Sequence, residues 1–263
     1  MDQIIAETGL SHGNVQRILY EDLNLVKKSA RWIPRLLSGD QMKRRVEASE
    51  DFLRRYRMGG ERFLESIVTM DESAVAFHTP EKKAQSKQWL PKGTPGPLKA
   101  RVQASRKKQM VFAFFNKEGL IYQHYAPLGS KINSDYLIEV LGKFLKVFRR
   151  KRTEKAGPGE WILHWDNSPL HTARSTASFL SKRGIRTLEH PPYSPDLAPA
   201  EFFLFPTVKA ALSGDTIGGQ TVKTDWERVC GALPKEAFCT AFERWVHRFE
   251  KCIRLEGGYV EKN

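Results

Sequence analysis

Residues 1 to about 58 carry apolar positions at helical spacing, and the pattern breaks at Gly59-Gly60. Early in this stretch Val15, Ile18 and Leu19 form one apolar face, with His12, Asn14, Gln16 and Arg17 outside it. Gly9 can supply the positive φ of a tight turn between two helices. Ser11 can cap the second helix by accepting from its first free amides. From about Phe63 the pattern turns to short apolar runs mixed with helices. Strands are predicted over 65–70, 110–115, 120–125, 161–165 and 186–189, with 116–119 as the hairpin turn between the second and third. Ser134 is expected to cap a helix whose apolar face is Tyr136, Leu137, Val140, Leu141, Phe144, Leu145 and Phe148. A further helix is expected from about His171 to Arg183, and more follow a Pro-rich turn at Glu201. The order predicts a small all-α domain followed by a larger α/β domain.

Composition narrows the picture. The 263 residues suit one or two domains, and 40% hydrophobic with 28% charged residues is a globular balance. No apolar run approaches the roughly 18 residues of a spanning helix, so no membrane partner is expected. Cys230, Cys239 and Cys252 are too few and scattered for a disulfide framework or a zinc cage, which points to a reducing compartment.

The net charge of +13 favours a polyanion, nucleic acid first. Between Pro80 and Met110 nine basic residues face Glu81 alone: Lys82, Lys83, Lys87, Lys92, Lys99, Arg101, Arg106, Lys107 and Lys108. From Lys143 to Lys155 seven more face Glu154 alone. The first stretch is rich in Pro and Gly and reads as a loop able to lie along phosphates, or simply as a solvated loop. Phe148-Arg149-Arg150-Lys151-Arg152 is compatible with a nuclear address.

The N-terminal pattern has the layout of a helix-turn-helix whose second helix enters a major groove. Asn14 and Gln16 suit adenine edges and Arg17 suits guanine, with His12 beside them. A glycine turn between helices also serves purely structural pairs. In the α/β part, Asp71 and Asp166 are expected just past the ends of the first and fourth strands, where open sheets form their crevice. If those strands are neighbours the two carboxylates repel and need a cation. Glu201, near a following helix, completes an oxygen-only set that suits Mg²⁺ or Mn²⁺, and two such ions can serve phosphodiester chemistry. A lone Asp at a strand end is commonly a turn former or cap; the local wording decides here.

Asp166 stands in Asp166-Asn167-Ser168-Pro169-Leu170-His171, and Glu201 follows Tyr193-Ser194-Pro195-Asp196-Leu197-Ala198-Pro199, with 34 residues between the two acids. These motifs resemble a mariner-type transposase. Arg31-Trp32-Ile33-Pro34-Arg35-Leu36-Leu37 is similar to the family's linker, Thr69-Met70-Asp71-Glu72-Ser73 to its first catalytic strand, and Lys131-Ile132-Asn133-Ser134-Asp135-Tyr136 to its first core helix. Trp245, Arg248, Lys251-Cys252-Ile253 and Gly258-Tyr259 are similar to its C-terminal segment, so the likeness spans nearly the whole chain.

The resemblance implies an RNase H-like mixed sheet flanked by helices, with Asp71, Asp166 and Glu201 as catalytic and metal-binding acids. It implies hydrolysis at transposon ends and strand transfer into TA targets, a homodimer on double-stranded DNA, and a nuclear setting. Its domains fall at 1–28 (helix-turn-helix, the second of the family's pair, the first being absent from this chain), 29–62 (helical linker) and 63–263 (catalytic domain, with a basic clamp-like loop at about 77–107). Glu201 stands where mariners proper carry Asp. The alternative is a truncated or domesticated DNA-binding protein without enzymatic activity. Trp32 is expected to anchor the linker by burial, although a role against DNA or a partner subunit is also open.

Overall fold

The structure is a computed structural model that describes all residues except 31, 82–84, 101–102, 154–156, 158, 215–221 and 261–263. It divides into two compact units, Met1–Leu36 and Leu37–Asn263.

In the first unit, α1 (Asp2–Thr8) ends at Gly9, whose φ of 68° is left-handed and whose N–H bonds Ile5 O. Ser11 caps α2 (His12–Arg17): its Oγ accepts from Asn14 N at 3.3 Å. Val15 is buried, while His12, Asn14, Gln16 and Arg17 are all exposed. A π-helical turn, Ile18–Asp22, continues α2. The helix expected to run on to about residue 58 does not: none of the described residues between 23 and 38 is helical. Asn24 turns the chain with φ 48°, and Pro34 has no N–H to donate and disfavours helix in the residue before it. Trp32 is 96% exposed, so it is not the buried anchor expected.

The second unit opens with α3 (Gly39–Ser66), started by a capping box in which Ser38 Oγ accepts from Gln41 N and Gln41 Oε1 from Ser38 N. The expected break at Gly59-Gly60 is a kink instead. Gly60 takes φ 55°, and the helix resumes and runs to Ser66, so β1 begins at Ile67. Residues 37–62 of the expected linker thus run into the larger unit. The buried stripe of α3 (Arg45, Ser49, Phe52, Leu53) packs on the last helix, α9 (Lys235–Arg254), with Phe52 stacked on Phe249 at 4.1 Å between ring centroids.

β1 (Ile67–Ala76), β2 (Lys108–Asn116), β3 (Gly119–Tyr125), β4 (Ile162–His164) and β5 (Arg186–Leu188) form one sheet in the order β3-β2-β1-β4-β5. β1 pairs antiparallel with β2 and parallel with β4; β2–β3 is antiparallel and β4–β5 parallel. The β2–β3 hairpin turns where expected, with φ 124° at Gly119. The strand period of two sends alternate residues to opposite faces. Val111, Ala113 and Phe115 join one core with α3, α7 (Phe205–Ala211), α8 (Val222–Gly231) and α9. Phe112 and Phe114 join the other, under α4 (Ser134–Lys151) and α6 (Arg174–Lys182), where Phe114 stacks on Phe144 at 4.3 Å. A mixed sheet with helices on both faces is the α/β arrangement expected.

Three local expectations are corrected. Asn133, not Ser134, caps α4, its Oδ1 accepting from Tyr136 N at 2.9 Å. The helix expected from His171 to Arg183 is two pieces, α5 (Pro169–Thr172) and α6, because Ala173 is extended at ψ 143°. Asp71 lies inside β1, not beyond it, because β2 continues the ladder opposite it through Ala113.

Candidate active site

The acids come together through register. β4 pairs with β1 only from Ile67↔Ile162 to Thr69↔His164. Asp71 and Asp166 each stand two residues past that last pair. Period-two alternation keeps Asp71 on the face of Ile67, where α3 and α7 to α9 pack. Glu201 reaches the same region from a π-helical turn, Ala200–Leu204, whose Ala200 and Leu204 sit in that core. Pro206 sits in the first turn of α7, where a missing N–H costs nothing.

The charges of the other two acids converge on Asp71. Burial, and then the charges of Glu72, Glu201 and Asp166, push Asp71 well above the usual carboxylate range. Desolvation raises Glu201; Lys209 opposes this and Asp166 adds to it. Burial would also raise Asp166, but hydrogen bonds from His171 and from Ser168 N–H outweigh it and hold its pKa below the ordinary value.

His171 organises the edge of the site. Its Nδ1 lies 2.7 Å from Asp166 Oδ1 and its Nε2 3.1 Å from Glu72 Oε1. Burial opposes its charge, yet these two hydrogen bonds and the carboxylate charges raise its pKa to about 10, so both nitrogens donate. The Trp165 ring stacks on it at 4.5 Å and belongs to the core under α4. Behind the acids a buried chain runs from Thr69 Oγ1 to His164 Nδ1 (2.8 Å) and from His164 Nε2 to His190 Nδ1 (3.1 Å). Burial holds His190 at about 4 and His164 well below its ordinary value, so both rings are neutral. Asn167 Nδ2 donates to His190 O, which ties the strand end to this chain.

The donor set fits a hard divalent cation in kind: oxygen only, with uncompensated charge on Asp71 and both side-chain hydrogen bonds of Asp166 falling on Oδ1. Among the described residues, however, no three His, Cys, Asp or Glu side chains are gathered closely enough to hold an ion as they stand.

The Tyr193–Leu197 motif does structural work that its wording did not reveal. Arg45, fully buried on α3, donates to both Asp196 oxygens (2.9 and 2.7 Å), to Ser194 Oγ and to Gly257 O. Val260 N–H also reaches Asp196 Oδ2, and Trp245 Nε1 donates to Leu197 O at 2.6 Å. This clamp fixes the segment leading to Glu201. Sequence reasoning singled out neither Arg45 nor Glu72. The available signal for Arg45 was a charged residue on the same helical stripe as Phe52.

The expected DNA contacts are distributed over both units. His12, Asn14, Gln16 and Arg17 share the exposed part of α2. Lys87, Arg106, Lys107 and Lys108 are exposed, with Lys107 Nζ 5.0 Å above the Phe77 ring. Lys82, Lys83 and Arg101 lie outside the described residues. Bonds from Phe77 N–H to Lys107 O and from Ser105 N–H to His78 O close the base of this loop. Among the described residues, no ion pair joins a loop cation to Asp71, Asp166 or Glu201.

A five-stranded mixed sheet in this order, with Asp71 and Asp166 each two residues past the last pair of its central parallel strands, defines the class: an RNase H-like catalytic domain of a DNA transposase. Comparison with known proteins agrees. A family described as transposase (partial DDE domain) matches residues 79–157. The chain is 31% identical to the Mariner Mos1 transposase of Drosophila mauritiana, over 91% of this chain and 69% of that protein. It is 28% identical to the histone-lysine N-methyltransferase SETMAR of Homo sapiens, over 98% of this chain and 37% of that protein. The crystal structure of the Mos1 mariner paired-end complex with Mn is similar at a TM-score of 0.83 and 30% identity, covering 99% of this chain and 75% of that one. The chain belongs to the mariner transposase family.

Proposed function

We propose that the chain cuts DNA at transposon ends and joins the freed end to a TA target, with Asp71, Asp166 and Glu201 as the catalytic and metal-binding acids. The observation that carries this is the β1–β4 register, which sets Asp71 and Asp166 each two residues past the last pair, with the charges of Asp166 and Glu201 both bearing on Asp71. In the first step water adds to phosphorus, and the bond to the leaving oxygen breaks, giving a 3′ hydroxyl and a 5′ phosphate. In the second, the 3′ hydroxyl attacks a target phosphodiester and displaces another 3′ oxygen. When bound, two Mg²⁺ or Mn²⁺ ions supply Lewis-acid activation of water and phosphate and charge for the leaving oxygen.

The chain's own residues prepare that chemistry. Asp71 presents a carboxylate in a poorly solvated position, where a cation is strongly favoured. His171 keeps Asp166 ionised and fixes its orientation by holding Oδ1. The neutral His164–His190 pair anchors the backbone behind both acids. Exposed cations of α2 and of the 77–107 loop suit phosphate contacts, and the Mos1 relative is described as a paired-end complex with Mn. We extend this to a homodimer on double-stranded DNA, working in the nucleus.

Two observations favour the second reading, a DNA-binding protein without enzymatic activity: the cationic His171 already lies between two carboxylates, and among the described residues no three acids gather at one point. A nicking assay on supercoiled DNA with Mg²⁺ or Mn²⁺ separates the two. Metal-dependent nicks lost in Asp166→Ala support the first. Binding with no nicks, or equal nicking by the variant, supports the second.

A further inference from the structure

A groove of about 890 Å³ lies between the turn that carries Glu201 and α9. Its wall begins with the residue after Glu201: Phe202 and Phe203 line one side, and Arg244, His247, Arg248 and Lys251 the other. The spacing i, i+3, i+4, i+7 sets these four basic residues on one face of α9. Glu236 is the acidic residue in the lining.

Two of the four differ in how they are held. Arg248 is held rigidly, its guanidinium 4.4 Å above the Phe202 ring and its Nη1 donating to Asp196 O at 3.0 Å. Arg244, one turn away, has no carboxylate partner among the described residues, and its charge bears on Arg248. Like charges at i, i+4 destabilise a helix unless an anion lies between them. Aromatic and apolar atoms opposite cations suit sugars and bases with their phosphates.

We propose that this groove takes the sugar–phosphate backbone of the DNA strand that runs on past the reacting linkage, with Arg244 and Arg248 on successive phosphates and Phe202 against a sugar or base. The inference rests on the catalytic reading, because it puts the reacting linkage at Glu201. Its direct test needs no catalysis.

Binding of a fluorescent single-stranded oligonucleotide to the full chain is measured by anisotropy, in EDTA, across a salt series. Wild type, Arg244→Ala, Arg244→Glu and the off-groove control Lys182→Ala are compared, with circular dichroism to verify folding. Arg244→Ala is expected to weaken binding about five- to tenfold and to flatten the salt slope by roughly one phosphate. Arg244→Glu is expected to weaken it further, and Lys182→Ala to change it less than twofold. Equal losses in Arg244→Ala and Lys182→Ala, or no loss in Arg244→Glu, would overturn the proposal. If Arg244 matters for binding but wild type never nicks with Mn²⁺, the groove stands and the catalytic reading fails. If wild type nicks and Arg244→Glu binds normally, the reverse holds.

Discussion

The imidazole of His171 lies between the carboxylates of Asp166 and Glu72, with Nδ1 2.7 Å from the first and Nε2 3.1 Å from the second. One side chain on a four-residue helix thereby couples the end of β4 to the middle of β1. The same ring is stacked on Trp165, so its plane is fixed as well as its charge. It acts as a positioning residue for Asp166.

His171→Ala is expected to cut metal-dependent nicking by about 10- to 100-fold, the usual cost of losing a group that orients a metal ligand. His171→Gln keeps a donor but not the charge and is expected to fall between. Titrating Mn²⁺ for each variant checks the cause. A variant with unchanged rate and unchanged metal requirement would show that Asp166 does not depend on this ring.

Arg45→Met leaves Asp196 without its counter-charge, together with Ser194 Oγ and the Gly257 carbonyl it also held. A broken buried pair of this kind costs about 3–5 kcal/mol. Asp196→Asn in the same background is expected to return part of that loss. Urea unfolding of the two single variants and the double variant measures the coupling. Additive losses would mean that the pair contributes little beyond its separate parts.

Protonation of the buried histidine pair sets a pH dependence. An ordinary histidine titrates near 6.5 and folded His190 at about 4. Between those values the unfolded chain takes up a proton that the folded chain refuses. The contribution is therefore complete above pH 6.5 and is lost as pH falls toward 4, by roughly 3 kcal/mol for this group. Comparing unfolding free energies of wild type and His190→Gln at pH 7 and pH 5 isolates it. Parallel profiles would refute the assignment.

Gly257 passes so close to α3 that an added Cβ would lie 2.2 Å from Met42 O, and its φ of 85° is one that side chains avoid. Gly257→Ala is expected to lower the melting temperature by several degrees, since a clash with backbone cannot be relieved by a rotamer change. Differential scanning calorimetry reads this directly. An unchanged transition would mean that the terminal segment is not held against α3.

Much of this was legible in the chain. Short apolar runs on either side of a turn at 116–119 placed β2 and β3 within a residue or two, and the Gly9–Ser11 turn formed as its chemistry dictates. Asp71, Asp166 and Glu201 were visible through their surrounding words, but their common side of the sheet depends on the Thr69↔His164 register, which pairing alone decides. The length of β1 escaped prediction because its continuation depends on β2 and not on local preference. Arg45 and Glu72 escaped because their partners lie far along the chain, 151 residues away for Arg45–Asp196 and 99 for Glu72–His171.

The Arg45 clamp also imposes an order on synthesis. The arginine emerges from the ribosome well before its partners: Ser194 and Asp196 follow 149 and 151 residues later, and the carbonyl of Gly257 212 residues later. Until then the nascent α3 carries a naked guanidinium in the stripe that must become interior. The larger unit therefore cannot close behind the moving translation front. The counter-charge of Arg45 arrives only with Asp196 and its last carbonyl acceptors only with Gly257 and Gly258, so closure of the α3 stripe waits on residues made 212 and 213 positions later.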